Sequence, residues 1–262
     1  MKTMSLTVVG SGIKLLSHLS TEARAHIEQA DKVLYLVNDP LLQEWIAKNA
    51  QSSENLDGLY QKYPLRKDCY QAITEHILEV LKTEIVLCVV TYGHPTVFAQ
   101  PLLKAVIQAQ QEGLDAKILP AISAEDCLFA DLLINPGDVG CASFESTDFM
   151  LYQRQWDASS HLVLWQVGVI GLLSQPRQDF DNRKGAQLLR NYLHKKYELT
   201  HPVVLYEAAQ YPYFEPRIVR ATLNDLPDLD YSAIATLYVP PAYKAKRDDS
   251  VLEYLGIPIP VA

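Results

Sequence analysis

Short apolar runs that alternate with amphipathic stretches set the narrowest limits on how this chain can fold. Leu6-Thr7-Val8-Val9, Lys32 to Val37, Ile85 to Val90 and Ala116 to Leu119 have the length and composition of buried strands. Helical stretches separate them. One is opened by Ser20-Thr21-Glu22 and runs through Ala30, with Ser20 as its cap. A second starts at Asp39-Pro40 and ends near Lys48, with Pro40 in a first-turn position. A third runs from about Leu65 to Lys82 and carries an apolar stripe of Tyr70, Ile73, Ile77 and Leu81. A fourth, from Ala99 or Pro101 to Glu112, is stopped by Gly113. Strand and helix in alternation predict βαβ units and a mostly parallel sheet. Residues Gln51 to Pro64 are polar, carry Gly58 and Pro64 as breakers, and predict a loop.

The rhythm changes at Asn135-Pro136-Gly137-Asp138. Strand-like runs now follow one another: Cys141 to Phe144, His161 to Val167, Pro202 to Tyr206, Arg217 to Thr222 and Ala233 to Val239. Only Arg183 to Tyr197 reads as clearly helical, with Leu188, Leu189, Tyr192 and Leu193 inward. Strands this close in sequence imply a mixed sheet. The expected architecture is α/β with a mostly parallel N-terminal sheet over 1–134, a mixed C-terminal domain over 135–241, and a tail over 242–262 that includes a short helical run.

Composition narrows the class. A formal charge of −8 argues against a nucleic-acid surface. The apolar residues before Gly10 are too few for a signal peptide. The longest apolar stretch, Leu162 to Leu173, is interrupted by Gln166 and by Gly168 and Gly171, and reads as core rather than as a membrane span. A cytoplasmic protein is expected. Cys69, Cys88, Cys127 and Cys141 lack C-x-x-C spacing and read as reduced core cysteines, and no metal site is expected.

Candidate chemistry gathers where predicted strands end. In open α/β sheets ligands bind outside the carboxyl ends of strands. The third strand empties into Tyr92-Gly93-His94-Pro95-Thr96-Val97-Phe98, in which Gly93 and Pro95 shape the backbone and Tyr92 and His94 present polar heads. The fourth empties into Pro120-Ala121-Ile122-Ser123-Ala124, where Ser123 and Asp126 are spaced as a capping box. Capping accounts for Ser123; a ligand contact is the alternative. The first strand ends in Gly10-Ser11-Gly12, but Leu15 stands where a dinucleotide fingerprint has its third glycine, so the turn reads equally as structural. Arg66 and Tyr70 are four apart on one helix face. A guanidinium beside a phenol favours the phenolate, and this pair is a candidate for proton chemistry; the plainer reading is Arg66 on a solvated face with Tyr70 half buried.

Taken in order, the G-x-G turn, Tyr-Gly-His-Pro, Pro120-Ala121-Ile122-Ser123-Ala124-Glu125-Asp126, Asn135-Pro136-Gly137, Trp165-Gln166-Val167-Gly168 and Thr236-Leu237-Tyr238-Val239-Pro240-Pro241 resemble the tetrapyrrole-methylase superfamily. Within it the chain is most similar to the borosin peptide backbone α-N-methyltransferases. The resemblance spans about Leu6 to Pro241. It implies two α/β domains, S-adenosylmethionine as cofactor, a homodimer, and methylation of backbone amides of a ribosomally made precursor peptide. The tail after Pro241 lacks a long Val/Ile-rich segment, so the split type, acting on a separate precursor in trans, is expected; the closing Ile257-Pro258-Ile259-Pro260-Val261 keeps self-modification open. The resemblance assigns Arg66, Tyr70 and Tyr92 to catalysis, with a further upstream tyrosine for which Tyr60 and Tyr63 compete and Tyr63 is preferred. It assigns Tyr92, Gly93, His94, Pro95, Val97, Phe98, Ser123, Ala124, Gln166, Tyr206, Ala235 and Thr236 to the cofactor. Two departures stand out: Thr96 and Ala121 occupy positions where glycine is usual. The competing readings are a corrin or porphyrin C-methyltransferase of the same superfamily and a non-catalytic peptide-binding relative.

Overall fold

The computed structural model describes residues 4–63, 65–84, 86–172 and 180–258. Pro64 as a breaker, Ile85 as the first strand residue, Leu173 as the end of the long apolar run and the closing Ile259-Pro260-Val261 lie outside them. The chain divides into two compact units. One comprises Met1–Asn135, Gly171–Asp181 and Tyr206–Ile218; the other comprises Pro136–Ile170, Asn182–Leu205 and Val219–Ala262. The single division at residues 134 and 135 expected from sequence has no counterpart to the late segment Tyr206–Ile218, which returns to the first unit.

The first unit holds β1 (Ser5–Gly10), α1 (Thr21–Gln29), β2 (Lys32–Leu36), α2 (Pro40–Asn49), β3 (Ser53–Asn55), α3 (Gly58–Lys62), α4 (Arg66–Leu81), β4 (Val86–Thr91), α5 (Gln100–Gln111), β5 (Asp115–Ile118) and α6 (Ala124–Leu132). Its sheet has the order β3-β2-β4-β1-β5, and its strand pairs are parallel. Alternation along each strand sends side chains to two faces. Leu6, Val8, Leu34, Leu36, Leu87 and Val89 face α4 and α5. Val9, Val33, Tyr35, Val37, Cys88 and Val90 face α1 and α2. The capping signals act as expected: Ser20 accepts the Ala23 N–H and Asp39 accepts those of Leu41 and Leu42.

Two elements in this unit depart from the loop expected over Gln51 to Pro64. β3 is polar and forms by pairing with β2. α3 forms because Leu56, 2% exposed, anchors the chain, its N–H donating to the Tyr35 carbonyl at 2.9 Å, while Asn55 Oδ1 accepts the Asp57 N–H at 2.7 Å. The inward stripe of α4 is Cys69, Ile73, Thr74, Ile77 and Leu81; Tyr70 sits at its half-buried edge.

The second unit carries α7 (Pro136–Val139), β6 (Cys141–Glu145), α8 (Ser146–Leu151), β7 (His161–Trp165), α9 (Arg183–Leu193), β8 (Pro202–Glu207), β9 (Arg217–Thr222), a 3-10 turn (Leu223–Asp228), β10 (Thr236–Val239) and α10 (Asp249–Leu255), with the facing ends of β8 and β9 continuing into the first unit. The sheet order is β6-β7-β10-β8-β9, with β6 parallel and β10 antiparallel to β7, a mixed sheet as expected. α7 and α8 were not expected; α8 is started by Glu145, whose carboxylate accepts the Asp148 N–H at 2.7 Å. In α9 the buried residues are Ala186, Leu189 and Leu193, while Leu188 is 56% exposed. Leu188 therefore belongs to the outer face, because the apolar stripe is narrower than the pairs Leu188-Leu189 and Tyr192-Leu193 suggest. Among the described residues no helix is long and apolar enough to cross a membrane.

Candidate active site

β1 and β4 are neighbours in the first sheet, yet the chain leaves them toward opposite faces, to α1 and α5. This is a topological switch point, where open parallel sheets form their ligand crevice. Three loops meet there. The turn after β1 and the loop after β4 bond to each other: Gly12 N–H donates to the Gly93 carbonyl at 3.3 Å and Gly93 N–H to the Gly12 carbonyl at 3.1 Å. Gly10 marks the point where they converge with the loop after β5. A Cβ on Gly10 would lie 2.1 Å from the Gly93 oxygen, 2.6 Å from the Ala121 Cβ and 2.8 Å from the Pro95 Cδ. The bare α-carbon of Gly10 thus makes room for Ala121, one of the two departures from the expected pattern.

Thr96, the other departure, is accommodated by His94. Its N–H donates to His94 Nδ1 at 3.2 Å and its hydroxyl lies 3.0 Å from the same nitrogen. The side chain thereby closes a small turn that glycine would close by conformational freedom alone. Gly93 has φ of +71°, and apart from its chain neighbours a Cβ there would meet, among the described residues, only Ile13 Cδ1 at 3.6 Å, so its absent side chain leaves an approach open. Val97, Phe98 and Ile122 are exposed around this edge, and Phe98 holds a positive φ of 54°. Non-glycine residues in that region are strained by roughly 1–3 kcal/mol and gather at functional sites. An apolar rim, an open glycine and strained backbone fit a ligand with a flat apolar part.

Other expected contacts are already committed to the fold. Ser123 and Asp126 form a reciprocal capping box, with Ser123 N–H donating to Asp126 Oδ2 at 2.7 Å and the hydroxyl bonding the same oxygen at 2.6 Å. Capping therefore accounts for the Ser123 side chain, and Ala124 is the first residue of α6. Tyr206, expected in the C-terminal domain, belongs to the first unit; it is fully buried and its hydroxyl donates to Asp131 Oδ2 at 2.7 Å. Burial and that carboxylate drive its pKa far upward. Gln166, Ala235 and Thr236 group together in the second unit, where Val167 N–H donates to the Ala235 carbonyl at 3.1 Å. Gln166 holds a positive φ of 57°, whereas the Ala235 and Thr236 side chains are buried.

The catalytic candidates form an aromatic-cationic cluster on α3 and α4. Burial raises the Tyr60 pKa, with a further rise from Tyr70 and an opposing pull from Arg66, so these groups share one field. Tyr70 is raised as well: burial outweighs the lowering effect of Arg66. The guanidinium acts with the expected sign but does not control the outcome, so the pair rests as a neutral phenol beside a cation. Tyr63 packs against the same core, with the Lys62 ammonium 5.4 Å over its ring. Thr74, one turn after Tyr70, donates to the Pro101 carbonyl at 3.1 Å and ties α4 to the first turn of α5, just beyond the Tyr92–Phe98 loop. Tyr92, at the head of that loop, is 41% exposed, and partial desolvation pushes its phenol upward.

Residues 5–227 match the sequence profile of the tetrapyrrole (corrin/porphyrin) methylases. The chain belongs to this family. It is 40% identical over 251 residues to a methyltransferase/ribosomally synthesized cyclic peptide gymnopeptides precursor of Gymnopus fusipes, covering 94% of this chain and 59% of that protein. It is 36% identical over 255 residues to the corresponding omphalotin A precursor of Omphalotus olearius, covering 95% and 61%. A type III borosin cyclic peptide precursor of Anomoporia bombycina is 40% identical over 256 residues, covering 96% of this chain and 30% of that one. The chain thus spans about three fifths of the length of the first two relatives. Among solved structures, a uroporphyrin-III-C-methyltransferase from Thermus thermophilus superposes with a TM-score of 0.65 at 18% identity, over 99% of both chains. That likeness establishes the tetrapyrrole-methylase fold for this chain.

Proposed function

We propose that this tetrapyrrole-methylase family member is an S-adenosylmethionine-dependent methyltransferase that methylates backbone amide nitrogens of a peptide. The observation that carries the reading is the grouping of Tyr60, Arg66 and Tyr70 within one electrostatic field. An amide nitrogen is a poor nucleophile because its lone pair is delocalised into the carbonyl. Its methylation needs a hydrogen-bond donor or cation at the carbonyl oxygen and an acceptor for the N–H proton. A tetrapyrrole carbon is already nucleophilic and calls for no such cluster. The names of the relatives, which pair a methyltransferase with a cyclic peptide precursor, support the same choice.

When bound, S-adenosylmethionine supplies an electrophilic methyl group on sulfur. Tyr92, Gly93, His94, Pro95, Val97, Phe98 and the Ser123-Ala124 backbone would hold it in the first unit. Arg66 and a neutral Tyr70 polarise the acceptor carbonyl, and Tyr92 orients the amide. Tyr60, which shares the field of Tyr70 and Arg66, takes the place of Tyr63 as the upstream phenol in this scheme. The amide proton passes to the small ionised fraction of a cluster phenol, a fraction that Arg66 enlarges and burial diminishes. The peptide is offered as a separate chain, and the enzyme works as a homodimer.

Incubation with S-adenosylmethionine and an apolar peptide, read by mass spectrometry, tests the proposal. Mass increments of one methyl group on backbone nitrogen are expected. Arg66→Ala and Tyr70→Phe should abolish them while calorimetric binding of S-adenosylhomocysteine persists. Full turnover in both variants would sink the assignment, and sedimentation as a monomer would sink the dimer.

A further inference from the structure

The Gly10-Ser11-Gly12 turn after β1 also seats a histidine. Gly12 holds a positive φ of 70°, and a Cβ there would lie 2.2 Å from the Cβ of His18, so glycine lets His18 fold back onto the turn. The Ile13 and Lys14 N–H groups donate to His18 Nδ1 at 3.3 and 3.2 Å. A backbone N–H only donates, so Nδ1 carries no proton and the neutral imidazole keeps its proton on Nε2. Desolvation and Lys14 hold the His18 pKa below its ordinary value against an opposing pull from Asp126, which favours that neutral form. The two nitrogens lie on different sides of the ring, so the Nε2–H is directed away from the Ile13–Lys14 backbone. Among the described residues it has no hydrogen-bond partner.

His18 lines an open cleft of about 390 Å³ together with Leu19, Ser20, Pro120, Ala121 and Ile122, all in the first unit. The Ser20 hydroxyl oxygen is committed to the Ala23 N–H at 3.0 Å, and Leu19, Pro120, Ala121 and Ile122 make the walls apolar. With His18 neutral, none of the lining residues is charged, so the cleft suits a neutral acceptor beside an apolar group; a carboxylate or phosphate would lose its hydration for a single neutral donor. The Pro120–Ile122 wall touches Gly10 through Ala121 and runs directly into Ser123-Ala124, the backbone assigned to the cofactor. Resting on the peptide reading above, we propose that this cleft is a subsite for the acceptor peptide. It takes the apolar side chain of a residue flanking the methylated amide, and the carbonyl oxygen of that residue accepts the His18 Nε2–H. The G-x-G turn thus serves substrate binding through His18.

The test uses His18→Asn, His18→Gln and Ile122→Glu, with fluorescence anisotropy of a short fluorescein-labelled Val/Ile peptide carrying terminal lysines for solubility, in the presence of S-adenosylhomocysteine. Asparagine reaches as far as Nδ1 and can accept the Ile13 and Lys14 N–H groups, but it has no donor at the place of Nε2; glutamine reaches that place and can donate there. His18→Asn should weaken peptide binding about tenfold, the worth of one hydrogen bond in a water-poor cleft, and His18→Gln should restore it to within about threefold of the parent. Ile122 is 38% exposed, so Ile122→Glu leaves the fold intact while placing a carboxylate in the cleft, and it should weaken the peptide at least about tenfold. Affinity for S-adenosylhomocysteine, by calorimetry, should change by less than about twofold in all three. Peptide affinity equal to the parent's in both His18→Asn and Ile122→Glu, or an equal loss of S-adenosylhomocysteine affinity, overturns the proposal. A parent that binds the peptide without methylating it, by mass spectrometry, would fail the functional reading and keep the subsite. A parent that methylates peptides while the variants bind them as it does would keep the reading and strike the subsite, and a parent that binds no peptide would strike both.

Discussion

Gly10→Ala and Gly93→Ala place one methyl group on each of two glycines that share the same junction, and they should fail in opposite ways. At Gly10 the new carbon would fall 2.1 Å from a backbone oxygen, 2.6 Å from the Ala121 Cβ and 2.8 Å from a proline ring carbon. Ordinary contacts begin near 3.4 Å, and none of these atoms ends a flexible side chain. The loops after β4 and β5 must therefore move outward by about 1 Å. Overpacking of this kind destabilises by about 3 kcal/mol at the upper end of its usual range. For a chain of this size that lowers Tm by roughly 6–12 °C. At Gly93 the new methyl meets only Ile13 Cδ1 at 3.6 Å, so packing contributes nothing unfavourable. The positive φ adds about 1–2 kcal/mol of strain. The methyl would, however, stand in the opening that the cofactor is proposed to approach. Differential scanning calorimetry and titration with S-adenosylhomocysteine separate the two effects. Gly10→Ala should lose mainly Tm, and Gly93→Ala should lose mainly affinity. A Gly10→Ala protein that melts within about 2 °C of the parent would refute the convergence of the three loops, because no relaxed arrangement of those atoms admits the extra carbon.

Further outcomes follow from the same geometry. Leu189→Ala, at a site 1% exposed, should destabilise the second unit by about 2–5 kcal/mol in urea unfolding, whereas Leu188→Ala, at 56%, should change it by less than about 0.5 kcal/mol. Asp126→Ala removes the carboxylate that accepts both the Ser123 N–H and hydroxyl, and should cost about 1 kcal/mol of stability by the same assay. Tyr197 and Tyr238, 3% and 7% exposed, have phenols pushed up to about 12, each chiefly by burial. Between pH 10 and 12 the unfolded chain loses these protons while the folded chain keeps them, so stability present below pH 10 should fall steeply above it; a flat unfolding free energy across that window would contradict the burial of these rings. In the methylation assay, rates should keep rising from pH 7 to 9 without a plateau, because burial holds Tyr60 and Tyr70 mostly protonated there; a plateau near neutrality would assign the proton to another group.

The alternation of apolar runs with capped amphipathic stretches was enough to identify the parallel sheet of the first unit, since strand period, helix period and Ser20, Asp39 and Ser123 caps are local properties of the chain. The same local signals located the loops after β1, β4 and β5 and the Arg66–Tyr70 spacing. They could not reveal β3 or α3, whose polar residues are ordered by pairing with β2 and by burial of Leu56. Nor could they reveal which way the Tyr70 phenol shifts, because the guanidinium is visible in the sequence and the desolvation that outweighs it is not. Thr96 and Ala121 looked like defects in a glycine pattern until His94 and Gly10 appeared beside them. Tyr206, Gln210 and Tyr211 lie far along the chain from Asp131, Leu15 and Asp39, to which they bond, and no periodicity connects them. Sequence alone determined the elements and the loops that carry the chemistry, because those depend on neighbours a few residues apart. The direction in which each phenol shifts and the return of Tyr206–Ile218 to the first unit were decided only in three dimensions, where burial and long-range hydrogen bonds act.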